Sequence, residues 1–168
     1  KIQKYSIGAA LALFYYLAYS GNLSHIIAYH EQHHLFLFTE AYFEQQVQSE
    51  GFFSYLTDFI IQFFYYPALG SALLALLLAS VYLMASNIIR FLFGKEDLFH
   101  LSVIPSLALF YHTMEASHTL VPITISVLTF AIINLVLWIF RSHMPLIPLF
   151  KNLHIQKKCI RTGITAVA

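Results

Sequence analysis

The sequence predicts an all-α integral membrane domain with about four transmembrane helices and an amphipathic segment on the outer side of the membrane. Three features predict this class: the composition, four long apolar runs, and a one-sided distribution of charge. Of the 168 residues, 59% are apolar and only 10% are charged, and the mean hydropathy is +0.70. Soluble domains carry roughly 25% charged residues. The chain therefore has too little charged surface for an ordinary soluble domain.

The four apolar runs give the positions of the predicted spans. We expect these spans at residues 3–20, 68–90, 98–114 and 119–140. The second and fourth reach the roughly 20 residues that cross about 30 Å of hydrocarbon. The first and third are shorter, and their polar and aromatic flanks would extend them into the headgroup region.

The basic residues follow the positive-inside pattern. If the N-terminus is cytoplasmic and the chain crosses four times, all nine lie on the cytoplasmic side: Lys1, Lys4, Arg90, Lys95, Arg141, Lys151, Lys157, Lys158 and Arg161. Six of the eight acidic residues lie on the other side: Glu31, Glu40, Glu44, Glu50, Asp58 and Glu115. Because an excess of Lys and Arg marks cytoplasmic loops, the pattern predicts a multi-pass inner-membrane protein with its N-terminus inside.

The remaining segments complete a single membrane domain over residues 1–168. We expect an outer segment at 21–67, a cytoplasmic tail at 141–162 that contains the reduced thiol of Cys159, and the start of a further span at 163–168. The chain would then be a fragment of a longer protein. Residues 1–21 also have the features of a signal peptide. The bulky Tyr residues near its cleavage site argue against cleavage.

The outer segment is apolar, rich in histidine and carboxylate, and free of Lys and Arg. Between Phe52 and Tyr66, the polar residues Ser54, Asp58 and Gln62 recur every four positions, which predicts a helix with a narrow polar stripe. Such a helix either lies in the membrane interface or packs against the spans. Ser49 or Gly51 is a candidate cap for the start of this helix.

Residues 30–34 read HEQHH, which fits the H-E-x-x-H pattern of zinc metalloproteases. In that pattern His30 and His34 would hold the metal and Glu31 would activate its water. A third ligand is also needed, and none follows at a recognised spacing. Other residues on the same side that offer a third ligand are His25, Glu40, Glu44 and those of the stretch 112–118. We interpret the match as incidental and expect no metal there.

Two neighbouring stretches resemble a known family. EQHHLFLFTEAYF begins at Glu31, and GFFSYLTDFIIQFFYYPALGSALLALLL begins at Gly51. Over residues 29–78 they resemble an uncharacterised family, a domain of unknown function, of bacterial multi-spanning inner-membrane proteins of the Bacteroides type. The resemblance implies a longer chain with further spans in a bacterial inner membrane. It also implies that Glu31, Gln32 and the block 62–67 belong to the family pattern, but it implies no reaction.

Three classes of function fit these features. The first is an enzyme that acts on a lipid-linked envelope substrate at the outer face, because the layout looks like the beginning of the lipid-sugar-dependent glycosyltransferases. The second is a transporter component, although only uncharged polar residues lie within the predicted spans. The third is a non-catalytic envelope assembly or scaffold protein, which needs no site.

For the enzyme, the outer carboxylates are the candidate groups that hold a divalent cation or act as base: Glu31, Glu40, Glu44 and Asp58. We rank Glu31 first, with the Gln32 amide orienting a partner. No cofactor is identifiable beyond that divalent cation. The expected partners are the bilayer, a lipid-linked substrate and other membrane subunits. Nucleic acid is excluded, since the basic residues form no patch with interleaved aromatic residues.

Overall fold

The computed structural model describes residues 2–34, 36–94 and 99–143. These residues form seven α-helices and one 3-10 helix, and no strand occurs among them: α1 (Ile2–Ser20), α2 (Ser24–His33), α3 (Glu40–Ser49), α4 (Phe52–Ile61), the 3-10 helix (Gln62–Tyr65), α5 (Pro67–Phe93), α6 (Phe99–His112) and α7 (Val121–His143). The predicted all-α class is confirmed for the described part of the chain.

The chain divides into two compact units, residues 1–134 and 135–168. The first holds α1 to α6 and the N-terminal part of α7. In the second, the structure describes only the end of α7, up to His143. The predicted cytoplasmic tail beyond that residue, Cys159 and the predicted further span at 163–168 lie outside the described residues.

The four predicted spans correspond in position to α1, α5, α6 and α7. By length and composition, however, only α5 and α7 among the described helices are long and apolar enough to cross a membrane. Helix α6 has 14 residues, which extend about 21 Å at 1.5 Å per residue. This criterion therefore supports two spans rather than the four that the sequence predicted.

Several helix ends carry the local signals of a terminus. Helix α5 begins at Pro67, which loses no hydrogen bond in a first turn, and ends at Gly94 with a left-handed φ of 64°. Helix α3 begins after Thr39, whose hydroxyl accepts a hydrogen bond from the Tyr42 N–H at 3.3 Å. Gly51 precedes α4 with a φ of 92°, which favours glycine and allows the close turn from α3 into α4.

Helices α1 and α5 pack antiparallel, and α6 runs in the direction of α1. The Lys4 ammonium, near the start of α1, donates to Asn87 Oδ1, near the end of α5. The hydroxyls of Tyr19 and Thr113 share a hydrogen bond that joins the far ends of α1 and α6. The Ser106 hydroxyl in mid-α6 donates to a main-chain oxygen of α5 at 2.8 Å.

Helix α7 runs antiparallel to α6 and parallel to α5. Near its start, the Thr124 hydroxyl lies 2.8 Å from the Thr57 hydroxyl of α4. Further along, the Asn134 amide donates to the main-chain oxygen of Met84 in α5 at 3.2 Å. Consequently α1, α5, α6 and α7 alternate in direction along the chain, and α4 lies at the end of the first unit where α7 begins.

The interior contains many polar side chains, while large apolar side chains are exposed. Among the buried residues are Ser102, Ser106, Thr113 and Thr124. The exposed apolar side chains lie on α1, α5, α6 and α7 and include Leu13, Phe14, Leu76, Leu92, Leu107 and Ile132. Exposed apolar side chains are disfavoured in water and tolerated in lipid. Lipid offers no hydrogen-bond partners, so polar side chains in lipid are favoured in the interior, where the protein supplies those partners.

Candidate functional site

The densest polar cluster in the described chain surrounds Asp58 of α4. Asp58 is only 3% exposed. Asp58 accepts hydrogen bonds from His34 Nδ1 at 2.9 Å and from the Gln46 amide at 2.8 Å, and the Tyr42 hydroxyl donates at 3.4 Å. A buried carboxylate is costly unless it is paired and hydrogen-bonded. Here the end of α2 and one face of α3 provide those partners.

A second carboxylate extends the cluster toward the surface. Glu50 accepts from the Gln46 amide at 3.1 Å and from the Ser54 hydroxyl at 2.7 Å. The turn at Gly51 allows both hydrogen bonds, because Gln46, Glu50 and Ser54 keep a four-residue spacing from α3 into α4. Gln46 therefore bridges the exposed carboxylate of Glu50 and the buried carboxylate of Asp58. We call the set of His34, Tyr42, Gln46, Glu50, Ser54 and Asp58 the Asp58 cluster.

His34 is the half-exposed member of the Asp58 cluster, with 30% of its side chain accessible. The hydrogen bond to Asp58 raises the pKa of His34, and the charges of Asp58 and Glu50 add to this effect, while burial opposes it. When His34 is neutral, its Nδ1 carries the proton and the lone pair is on Nε2. No described residue makes a hydrogen bond with Nε2. The arrangement is that of an oriented imidazole able to take up or release a proton.

Tyr42 lies on the other side of the carboxylate. Burial, together with the Asp58 charge, raises the pKa of Tyr42. Its ring and those of Tyr55 and Phe59 lie around the buried ring of Phe36, with centroids 5.0 to 5.7 Å away. An aromatic wall thus adjoins the Asp58 cluster.

His30 lies beside the cluster and is not bonded to it. It is 2% exposed, and neither of its ring nitrogens has a partner among the described residues. Its ring centroid is 5.7 Å from that of His34. Burial, together with the smaller effects of the nearby His34 and His33, lowers the pKa of His30 to about 4. His33 is engaged elsewhere, because its Nδ1 bonds to the main-chain oxygen of Tyr29.

The two residues ranked first from the sequence lie outside the Asp58 cluster. Glu31 is half-buried and Gln32 is exposed on α2. Neither side chain makes a hydrogen bond or ion pair with another described residue. Their predicted catalytic role is untested and stays a prediction.

Of the other three candidate carboxylates, one lies in the Asp58 cluster and two lie outside it. Asp58 is the centre of the cluster, whereas Glu40 and Glu44 are exposed on α3 and make no bond to it. A shallow depression on another face of α3 contains Glu44, but it includes no member of the cluster. In the part of the chain that the structure describes, no three His, Cys, Asp or Glu side chains are grouped to hold a metal ion.

Sequence reasoning missed the three partners of Asp58, which are His34, Tyr42 and Gln46. It also missed Glu50, which accepts from Gln46. One signal was present, since Gln46 and Glu50 continue backwards the four-residue spacing of Ser54, Asp58 and Gln62. Read across the α3–α4 turn, this spacing gives one continuous polar face. The contact with His34 had no local signal, because 24 residues separate it from Asp58.

The chain belongs to a family of unknown function, DUF6057, which matches residues 1–154. The predicted membership of an uncharacterised family is therefore confirmed. No curated protein and no solved structure matches the chain.

Proposed function

We propose that this chain is a multi-pass protein of a bacterial inner membrane, with α1, α5, α6 and α7 as four spans and the N-terminus inside. The alternating directions of these helices support the proposal. Their exposed apolar side chains and their hydrogen bonds between helices support it as well. Neighbouring helices and snorkelling ends would let the short α6 cross a locally thinned bilayer.

The distribution of charge supports the orientation. Lys4 and Arg90 lie near the same end of the antiparallel α1–α5 pair, and Lys4 bonds to Asn87 there. The carboxylates of the Asp58 cluster lie at the opposite end, where α2, α4 and the start of α5 meet. By the positive-inside rule, the end with Lys4 faces the cytoplasm. The Asp58 cluster then lies at the outer face.

The proposed activity is proton transfer on a lipid-linked envelope substrate at that face. The observation that carries it is the hydrogen bond between buried Asp58 and half-exposed His34. Asp58 would fix the tautomer of His34 and stabilise its imidazolium form, so that Nε2 serves as general base and then as general acid. The cluster contains no Lys or Arg, and the imidazolium of His34 would be its only cation.

The lipid-linked class of substrate is favoured by what borders the cluster. Phe38 and Phe63 are exposed next to the aromatic wall, and Tyr65 and Tyr66 are exposed at the end of the 3-10 helix. Exposed Tyr residues are typical of the membrane–water interface. A substrate anchored in the outer leaflet would therefore reach the Asp58 cluster without leaving the membrane surface.

A test follows from the Asp58→Asn substitution, which keeps the shape of the side chain and removes its charge. General acid–base catalysis contributes roughly 100-fold or more. Cells with Asp58→Asn should accumulate the same unprocessed lipid-linked species as a strain that lacks the gene, as measured by mass spectrometry of lipid extracts. His34→Gln should do the same. Membrane abundance should stay normal in both.

Two matched variants serve as comparison. Glu40→Gln removes an exposed carboxylate of α3 outside the cluster and should restore the wild-type lipid profile. Glu31→Gln tests the first choice from the sequence in the same assay. If Asp58→Asn restored the profile fully, the cluster would only clamp α2, α3 and α4 together, and the scaffold alternative would be preferred.

A further inference from the structure

Helix α4 has its polar side toward the protein and its apolar side outward. Three of the four residues that α4 buries are polar or charged: Ser54, Thr57 and Asp58. On the opposite side of the helix, the accessible residues are apolar and recur every three or four positions into the 3-10 helix. These six residues, which we call the α4 apolar face, are Phe52, Phe53, Leu56, Phe59, Ile60 and Phe63. A surface helix of a water-soluble protein has the reverse arrangement.

Hydrogen bonds on the polar side fix this orientation of α4. The Ser54 hydroxyl donates to Glu50 at 2.7 Å, and Asp58 accepts from His34 at 2.9 Å. The Thr57 hydroxyl lies 2.8 Å from the Thr124 hydroxyl of α7. Rotation of α4 that buried its apolar face would break these bonds and leave buried polar groups without partners. The outward position of the apolar face is therefore part of the fold.

A neighbouring segment enlarges the α4 apolar face. Phe38, in the link between α2 and α3, is 75% exposed, and its ring centroid lies 6.1 Å from that of Phe59. The Phe59 ring is in turn 5.7 Å from the Phe63 ring. Contiguous exposed apolar side chains mark a contact with another protein or with a membrane.

The side chains of the α4 apolar face favour lipid over a protein partner. None of the six is charged, and none offers a hydrogen-bond donor or acceptor. Interfaces between proteins have about one hydrogen bond per 100–200 Å² and a polar rim. Hydrocarbon requires no such groups, because it makes no hydrogen bonds.

The α4 apolar face also continues onto a helix that is able to cross a membrane. From Phe63 the chain runs through exposed Tyr65 and Tyr66 into α5, where Leu69 and Leu76 are exposed. Helix α5 is long and apolar enough to span a bilayer. No charged residue interrupts this surface between α4 and Leu76. Tyrosines at the junction are typical of the headgroup level.

We propose that the α4 apolar face and Phe38 are seated in the outer leaflet of the bilayer, in contact with phospholipid acyl chains. Interfacial helices commonly direct their polar side to water. In this chain α2 and α3 cover that side and supply its hydrogen bonds, while the exposed Glu40 and Glu44 of α3 remain in water. Zwitterionic lipid is sufficient, because no Lys or Arg occurs between Lys4 and Arg90. The inference rests on the proposed membrane location and not on the proposed activity.

Tryptophan fluorescence of the full chain in phosphatidylcholine bilayers tests this contact. Trp138 of α7 is the only tryptophan of the sequence, so Trp138→Phe gives a background for single reporters. Phe63→Trp and Phe52→Trp place the reporter on the α4 apolar face, and Gln48→Trp places it on exposed α3 as the matched control. Brominated acyl chains quench tryptophan in contact with lipid, whereas iodide quenches tryptophan that water reaches. In the unsubstituted chain, Trp138 tests the membrane location itself.

We expect brominated chains to reduce the emission of Phe63→Trp and Phe52→Trp several-fold and that of Gln48→Trp hardly at all, with the opposite order for iodide. Phe52 is 52% exposed and carries the test if Phe63→Trp does not fold. Quenching of the α4 reporters by iodide alone would place this face in water and overturn the proposal. Protection from both quenchers would show that protein covers the face, which overturns it as well. In either case, quenching of Trp138 by brominated chains would show that the membrane location holds and that only the inference about α4 fails.

Discussion

At the scale of single residues, burial and pairing divide the histidines of HEQHH into three roles. His34 is paired with Asp58, His33 is bonded to its own helix, and His30 is buried and unpaired. The spacing of residues 30–34 identified this motif in the sequence. It could not assign the roles, since they depend on Asp58 and on the packing of α2, which are long-range contacts. Glu31, the most prominent residue of the motif, has no contact that distinguishes it.

The neutral state of His30 predicts a pH dependence of stability. Its pKa in the folded protein is about 4, below the ordinary value of 6.5, so the unfolded chain binds the proton first as the pH falls. The free energy of unfolding should therefore decrease between pH 6.5 and about 4. For this group the loss is about 2–3 kcal/mol. The pKa of His34 is shifted in the opposite direction, which partly offsets the effect in the whole protein.

His30→Phe isolates this contribution. The variant should lose about 2–3 kcal/mol less stability than the wild type between pH 7 and pH 4.5, as measured by denaturant unfolding in zwitterionic micelles. His25→Phe removes an exposed histidine of the same helix and should leave the pH dependence unchanged. Equal pH dependence of the His30→Phe variant and the wild type would show that His30 is not held neutral by burial.

At the scale of elements, the sequence predicted α4 with nearly its observed bounds. The predicted helix covered residues 52–66, and the structure has α4 followed by the 3-10 helix up to Tyr65. Of the two predicted environments, the structure supports packing, because Ser54 and Asp58 are buried and Thr57 bonds to α7. The spacing of polar residues along a helix shows that a polar stripe exists. Which way the stripe faces depends on tertiary contacts, which the local sequence does not show.

Gly70 permits a close approach of the 3-10 helix and of the Ile27 side chain of α2 to α5. A Cβ there would lie 3.1 Å from the main-chain Cα of Phe64 and 3.2 Å from Ile27 Cγ2. Gly70→Ala should therefore destabilise the fold by about 1–3 kcal/mol and weaken the contact between His34 and Asp58. Thermal unfolding and the ¹⁵N shifts of His34 would measure the two effects.

Gly8→Ala in α1 is the matched control. Its Cβ would come as close as 2.9 Å to a neighbour, but that neighbour is the flexible end of the Leu83 side chain, which can rotate away. This variant should cost less stability and leave the His34 shifts unchanged. If both glycine variants had the same effect, the close packing at Gly70 would not be what positions the 3-10 helix and α2.

At the scale of the whole molecule, the sequence predicted the all-α class, and its four apolar runs coincide with α1, α5, α6 and α7. That these helices are membrane spans stays a prediction. Apolar runs are local, so they can be read along the chain. The hydrogen bonds that join these helices could not be predicted, because Tyr19–Thr113 and Thr57–Thr124 connect residues that are distant in sequence. The number of spans also depends on this packing, since α6 is short and its direction is set by α1 and α5.

Cysteine accessibility in intact cells tests the four-span topology and its orientation, on which the placement of the Asp58 cluster depends. Single cysteines are introduced at Gln48 of α3 and at Ser117 between α6 and α7, both exposed, in a chain with Cys159→Ser. In the unsubstituted chain, the native Cys159 tests whether the C-terminal segment is on the cytoplasmic side. Each variant is treated with a membrane-impermeant maleimide before and after lysis.

With four spans and the N-terminus inside, the cysteines at positions 48 and 117 should both react before lysis, and Cys159 should react only afterwards. If only α5 and α7 crossed the membrane, positions 48 and 117 would lie on opposite sides and only one of them would react in intact cells. That outcome, or labelling of Cys159 before lysis, would contradict the proposed topology and remove the Asp58 cluster from the outer face.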